Sequence, residues 1–248
     1  MAPSPDLAAE VPDAAVPPAD LAQPDLTWTG CPSEMVRIEG FCVDPFEAEV
    51  VEIADGGERP HSPYLPVNGL TVRARVAVHT VPQAYISQAE AAAACANAKK
   101  RLCSAAEFAL ACRGADAGAH YPYGGTTHVA GACNEGKGSS VALFYGSDPT
   151  KWTADSFNDP RLNQWDGGLA PTGSYPQCAS PAGIYDCVGN LNEWGSDVPD
   201  GRGNARSRGG FYGDAEINGP GCLYVTSAHP PTYHDYSTGF RCCVDATN

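Results

Sequence analysis

GIYDCVGNLNEW, residues 183–194, carries two acids seven positions apart, Asp186 and Glu193, together with two glycines and a cysteine, Cys187. It holds no 3.6-residue apolar repeat, and its glycines and asparagines cut it into short β-like runs. The same texture extends outward. From Cys31 onward short apolar runs are broken by Gly, Pro and Asn; beyond Arg113 no stretch keeps a helical period for long, and aromatic residues sit in Gly/Pro-rich surroundings such as YPYGG (121–125). Irregular connections of this kind need staples or metals to hold them. The chain supplies eleven cysteines for that purpose.

Only two segments read as helices, and each opens on a capping box. Ser87 stands three before Glu90 at the head of SQAEAAAACANAKK, and Ser104 three before Glu107 in SAAEFALAC. Each serine can accept an orphan N–H while each glutamate bonds back to the cap. The first helix is alanine-rich, a strong helix former.

A chain of 248 residues with 43% hydrophobic and 18% charged residues is globular in composition, and one domain plus a tail is expected. There is no C-x-x-C pair to point to zinc or redox work, so so many cysteines imply an oxidising compartment. The net charge of −14 leaves no basic footprint for nucleic acid or an anionic membrane surface. No apolar run approaches the roughly 20 residues needed to span a bilayer. Met1 is followed by Ala-Pro-Ser-Pro and not by a basic region and apolar core, so an export signal is expected to have been removed. Residues 1–30 hold six prolines, five acids and no basic residue, with Pro-Asp-Leu twice; proline stiffness and like charge make this a disordered spacer. The domain proper is expected over 31–248.

Read in order, MVRIEGFCVDPFEAEV (35–50), CANAKKRLCSAAEFALACRG (95–114), YPYGG, CNEG (133–136), GIYDCVGNLNEW, RGGFYG (208–213) and GFRCC (239–243) resemble the formylglycine-generating enzyme family, also called the sulfatase-modifying factor family. The likeness runs from about Cys31 to Asp245 with every block in the family's order. It implies a single α+β domain with an irregular, C-type-lectin-like fold, low regular secondary structure, two main helices, many disulfides and bound calcium. Catalytic members use oxygen and a copper ion held by two cysteines to convert a sulfatase cysteine to formylglycine. Thiolates are the soft ligands that select Cu(I). The positions equivalent to those thiols fall near Asp214 and Asn218, and neither is a cysteine. No catalytic residue and no copper are therefore expected, and Cys222 matches a structural cysteine of the family.

The resemblance pairs Cys112 with Cys222 and Cys95 with Cys242. Cys31 and Cys42 flank one short strand pair and are expected to join; of the remaining five, Cys103 with Cys243 and Cys133 with Cys178 are the expected pairs, leaving Cys187 as a buried apolar filler, a role free cysteine suits, with a bridge to Cys178 or a reactive thiol as the alternatives. The family match carries a calcium site onto Asp186, Gly189, Leu191 and Glu193. Two carboxylates at that spacing can close on one cation when the glycine-containing turn between them offers carbonyls, since calcium takes six to eight oxygens. A second calcium site would use Asn134, the carbonyl of Glu135 and Asp166. The histidines show no ligand spacing, and His120, His128 and His229 read as surface or loop residues.

The loop TYHDYST (232–238), rich in tyrosine and small polar residues, suits a recognition surface. Tyr233, His234, Asp235 and Tyr236 are its candidate ligand-binding residues. The function expected is that of an exported, calcium-stabilised binding module, monomeric, taking a protein, peptide or glycan and located at the cell surface, in the periplasm or outside the cell. An oxidoreductase of the same family with an altered metal site, acting on a protein or peptide, is the alternative, and a purely structural module is a third.

Overall fold

Glu39 and Gly40 close the first hairpin, and the left-handed φ of 50° at Glu39 is what so tight a connection requires. In the computed structural model the described residues are 30–197 and 200–247; the acidic proline-rich stretch, read as a spacer, lies outside them through residue 29. In chain order the strands are β1 (Val36–Ile38), β2 (Phe41–Val43), β3 (Glu49–Ala54), β4 (Gly57–Pro60), β5 (Val72–Arg75), β6 (Arg101–Leu102), β7 (Asn192–Trp194), β8 (Ser207–Arg208), β9 (Val225–Thr226), β10 (Thr238–Gly239) and β11 (Cys242–Asp245). The helices are α1 (Gln88–Asn97), α2 (Ala105–Arg113), α3 (Ser140–Tyr145) and α4 (Ala154–Phe157).

Both capping boxes are formed at Ser87 and Ser104. α1 buries Ala91, Ala94 and Cys95, and α2 buries Phe108, Ala111 and Cys112, each at i, i+3, i+4 spacing. α3 and α4 are six and four residues long, too short to display a period in sequence. Among the described residues no helix is long and apolar enough to cross a membrane.

Three small sheets carry the strands, ordered β1-β2-β11-β6, β10-β7-β8-β9 and β4-β3-β5. In the first, β11 pairs antiparallel with β2 on one side and β6 on the other, so a strand made late is inserted between strands made early. Successive strand side chains face opposite ways, and the neighbours Cys242 and Cys243 exploit this. Cys242 bonds to Cys95 of α1 and sits with Val72, Trp194 and Phe240; Cys243 bonds to Cys103 and sits with Phe41, Phe108 and Ile184. One strand thereby staples two hydrophobic clusters. Cys112–Cys222, Cys133–Cys178 and Cys31–Cys42 are the other bridges, and Cys187 is buried without a sulfur partner. The three bridges that span 110, 140 and 147 residues each constrain the unfolded chain by about 4–5 kcal/mol in the chain-entropy picture, before any strain is subtracted. A third cluster, around Tyr85, Leu162, Leu191, Tyr212 and Tyr236, underlies the irregular second half.

Candidate functional site

The blocks GFR and NEW meet through one ion pair. Arg241, 1% exposed, donates to both carboxylate oxygens of Glu193 at 2.7 Å from Nε and Nη2. Nη1 and Nη2 also reach the carbonyls of Asp44 at 3.1 Å and Tyr185 at 2.8 Å. A planar fork with all these acceptors is the arrangement in which a buried guanidinium is tolerated. Glu47 lies in the same buried group: it accepts the Leu191 N–H at 2.9 Å and the Asn190 side-chain amide. Burial, with Asp186 and Glu193 beside it, pushes the Glu47 carboxyl well above the usual carboxylate range. Burial also raises Asp186, to about 6, against the pull of the Gly173 N–H that bonds it at 2.7 Å. Sequence reasoning missed Glu47 and Arg241 as members of this group.

The two carboxylates of the first calcium set carry partners in this structure: Glu193 is paired with Arg241, and Asp186 accepts from the Gly173 N–H. Gly189 instead serves close packing: at φ 75° a Cβ there would lie 2.1 Å from the carbonyl oxygen of Asn134. Among the described residues no group of three or more His, Cys, Asp or Glu is placed to hold a metal ion. The second set is different in kind. Asn134 is buried, its amide nitrogen donates to Gly168 and Asn190, and its Oδ1 has no hydrogen-bond partner. Asp166 is exposed, two residues from Gly168, and the side chain of Glu135 pairs with His128 at 2.7 Å. Asn134 therefore offers an oxygen that the protein itself does not use.

The segment at the family's thiol positions folds into a closed turn. Asp214 Oδ1 accepts the N–H groups of Glu216 and Ile217 at 3.0 and 3.1 Å, and Phe211 and Asp214 exchange backbone bonds. Glu216 accepts from the Tyr121 hydroxyl at 2.8 Å, and the Asn218 amide donates to Tyr224 at 3.0 Å. Cys222 is bonded to Cys112. No thiol stands in this turn. Cys187, across Gly209, is fully enclosed, and burial pushes its thiol far above the ordinary range.

The loop 232–238 divides its residues between inside and outside. Tyr236 is buried, with its ring among Phe157, Phe211 and Tyr212. Asp235 is buried too, accepting from Tyr233, from Ser237 N–H and from Ser237 Oγ at 2.7–2.8 Å. His234 bonds Asn158 at 2.9 Å. Tyr233, Ser237 and Thr238 line a pocket of about 170 Å³, and of the four candidate residues Tyr233 alone is among its lining. Asn192 and Trp194 of β7, Ser207 of β8 and Thr226 of β9 form its floor; Tyr233 and His229, stacked at 3.6 Å and 6°, form a wall. Burial holds the His229 imidazole below its ordinary pKa. Sequence reasoning put Tyr233 in a ligand loop and His229 among surface or loop residues, and it did not mark Asn192, because the floor is assembled from strands of two and three residues.

Few regular elements, three small sheets stapled by bridges and a β11 strand locked by Arg241 define a formylglycine-generating-enzyme-like fold. Residues 29–246 match the family described as the Sulfatase-modifying factor enzyme 1-like domain, and the chain belongs to that family. Among solved structures it is similar to PvdO from Pseudomonas aeruginosa, with 15% identity, 88% of this chain and 90% of that chain covered, and a TM-score of 0.50; this is a likeness of fold. The I1 and P3c variants of Major Tropism Determinant align at 14% and 13% identity with TM-scores of 0.48 and 0.47, over 87% of this chain and 53% of theirs, so this chain spans about half their length. No curated protein matches it.

Proposed function

We propose that this domain is a binding module and does not perform the copper-dependent cysteine oxidation of its family. The turn from Phe211 to Cys222 carries the reading: at the thiol positions stand a hard carboxylate that caps its own turn and an amide bonded to Tyr224, while the one nearby cysteine is spent in a bridge to Cys112. A soft two-sulfur site for Cu(I) has no ligands there. The test is direct. A peptide bearing the sulfatase recognition cysteine, incubated with the protein, oxygen, copper and a reductant, is expected to show no aldehyde above background by mass spectrometry. Conversion of the cysteine, or tight copper at one per chain, overturns the reading.

Calcium stabilisation belongs to the same proposal and rests on Asn134. Its unpartnered Oδ1, the Glu135 carbonyl and Asp166 are the residues that would hold the ion, and a hard cation would supply the bond that oxygen lacks. A ligand bound only to the native state stabilises by about 2.7 kcal/mol at a hundredfold excess over Kd. Calcium should therefore raise the melting temperature and chelator lower it, and Asn134→Ala should abolish the difference. An identical melting curve in calcium and in chelator would remove calcium from the account. Five bridges fit an oxidising, extracellular location, and we take the domain to act there as a monomer, which size-exclusion chromatography checks.

A further inference from the structure

The pocket between β7, β8, β9 and the turn carrying His229 and Tyr233 has four properties that together specify a ligand. Its volume of about 170 Å³ lies below the roughly 300–1,000 Å³ of clefts for drug-sized ligands, so it takes one ring and not an extended chain. No Lys, Arg, Asp or Glu lines it; a charged guest would enter without a counter-charge and lose its hydration. Its polar lining is amide and hydroxyl, from Asn192, Ser207, Thr226 and Ser237, groups that both donate and accept. Its apolar lining is Ala205, Ala228 and the rings of Trp194 and of the stacked His229 and Tyr233.

Asn192 gives the independent sign that something is missing. It is 6% exposed, and its Oδ1 is buried without a hydrogen-bond partner. Its amide nitrogen makes one long contact, 3.5 Å to Ser237 Oγ, so the side-chain amide is loosely held and can turn. An unsatisfied buried amide is costly to keep, and in a strand whose next residue, Glu193, is fully paired it is the exception. Burial that favours the neutral imidazole at His229 keeps the wall uncharged.

We propose that this pocket binds a single neutral pyranose ring, whose hydroxyls bond the Asn192 amide and the neighbouring hydroxyls while its apolar C–H face lies on the aromatic wall. The assignment rests on the binding-module reading above and names the ligand class for it.

Ligand-observed NMR with the methyl glycosides of glucose, galactose, mannose and N-acetylglucosamine tests the proposal. At least one is expected to receive saturation from the protein and to shift the His229 and Tyr233 resonances saturably. Asn192→Leu should weaken that binding about tenfold or more, the loss of one buried hydrogen bond. Thr226→Val, which keeps shape and removes a hydroxyl, should weaken it to a lesser degree; it also serves if the first variant does not fold. A glycan carrying the same terminal sugar should bind as well as the free glycoside if the source is a glycan end, and worse if the free sugar is the ligand. Saturable binding by none of the four, unchanged affinity in both variants, or tighter binding of glucuronate than of any neutral sugar overturns the proposal. The peptide-oxidation assay is separate: conversion there would sink the binding-module reading without touching the pocket, and absence of sugar binding would sink the pocket without touching that reading.

Discussion

Glu193 and Asn192 are neighbours on β7, and the alternation of a strand sends them to opposite faces. Glu193 enters a group in which Arg241 engages both of its oxygens and also donates to the Asp44 and Tyr185 carbonyls. Asn192 enters a pocket in which its carbonyl oxygen finds no partner. One residue apart, the same three-residue strand is fully paired on one face and left open on the other. Complete pairing is what a scaffold needs, because a half-satisfied buried network is worse than an apolar one. An open amide costs stability and is kept, on this argument, for something outside the chain.

The largest effect should come from the closed side. Arg241→Met strands the Glu193 carboxylate, and breaking a buried pair from one end costs about 3–5 kcal/mol; denaturant unfolding of the oxidised protein reads it. The double variant Arg241→Met/Glu193→Leu should recover most of that loss, since an apolar replacement of the whole pair is often neutral or better. A loss below about 1 kcal/mol in the single variant would mean that the pair behaves like a surface bridge and would break the comparison.

Cys187 lies in the closed region as well. It should resist alkylation in the native state, because burial disfavours the thiolate, and a single thiol per chain should react once the unreduced protein is unfolded. Cys187→Ser introduces a hydroxyl into an apolar site and should cost about 1–3 kcal/mol. Rapid alkylation of the folded protein would show the enclosure to be open.

The smallest change is expected on the open side. Asn192→Leu replaces an unpartnered amide and should lower stability by less than about 1 kcal/mol or raise it, because no hydrogen bond of consequence is lost and an unsatisfied buried group is removed. A loss comparable to that of Arg241→Met would show that Asn192 is a structural residue after all, and the contrast across β7 would fail.

Local features of this architecture were legible in the sequence where their cause is local. The Ser87 and Ser104 capping boxes depend on residues three apart and are present as read. The family blocks located the fold, and their order is the order in which the structure uses them. The Arg241–Glu193 pair was not legible, because its members stand 48 positions apart and each alone reads as an exposed charge or a metal ligand. Asp235 and Tyr236 read as ligand-facing for a similar reason. Tyrosine and aspartate in a polar loop resemble a recognition surface, and only the aromatic cluster beneath shows that these two turn inward. The pocket floor comes from strands of two and three residues, too short to carry any alternation pattern.

The place of β11 has a consequence for how the molecule is manufactured. This strand fills the gap between β2 and β6 and delivers two adjacent sulfurs to two separate clusters. Until it is in place, the sheet has a slot in its middle, and two sulfurs, those of Cys95 and Cys103, lack their partners. A slip of β11 by one residue would turn its faces over, present each sulfur to the wrong cluster and hold Arg241 away from Glu193. Correct oxidation and correct charge pairing therefore depend on one and the same register.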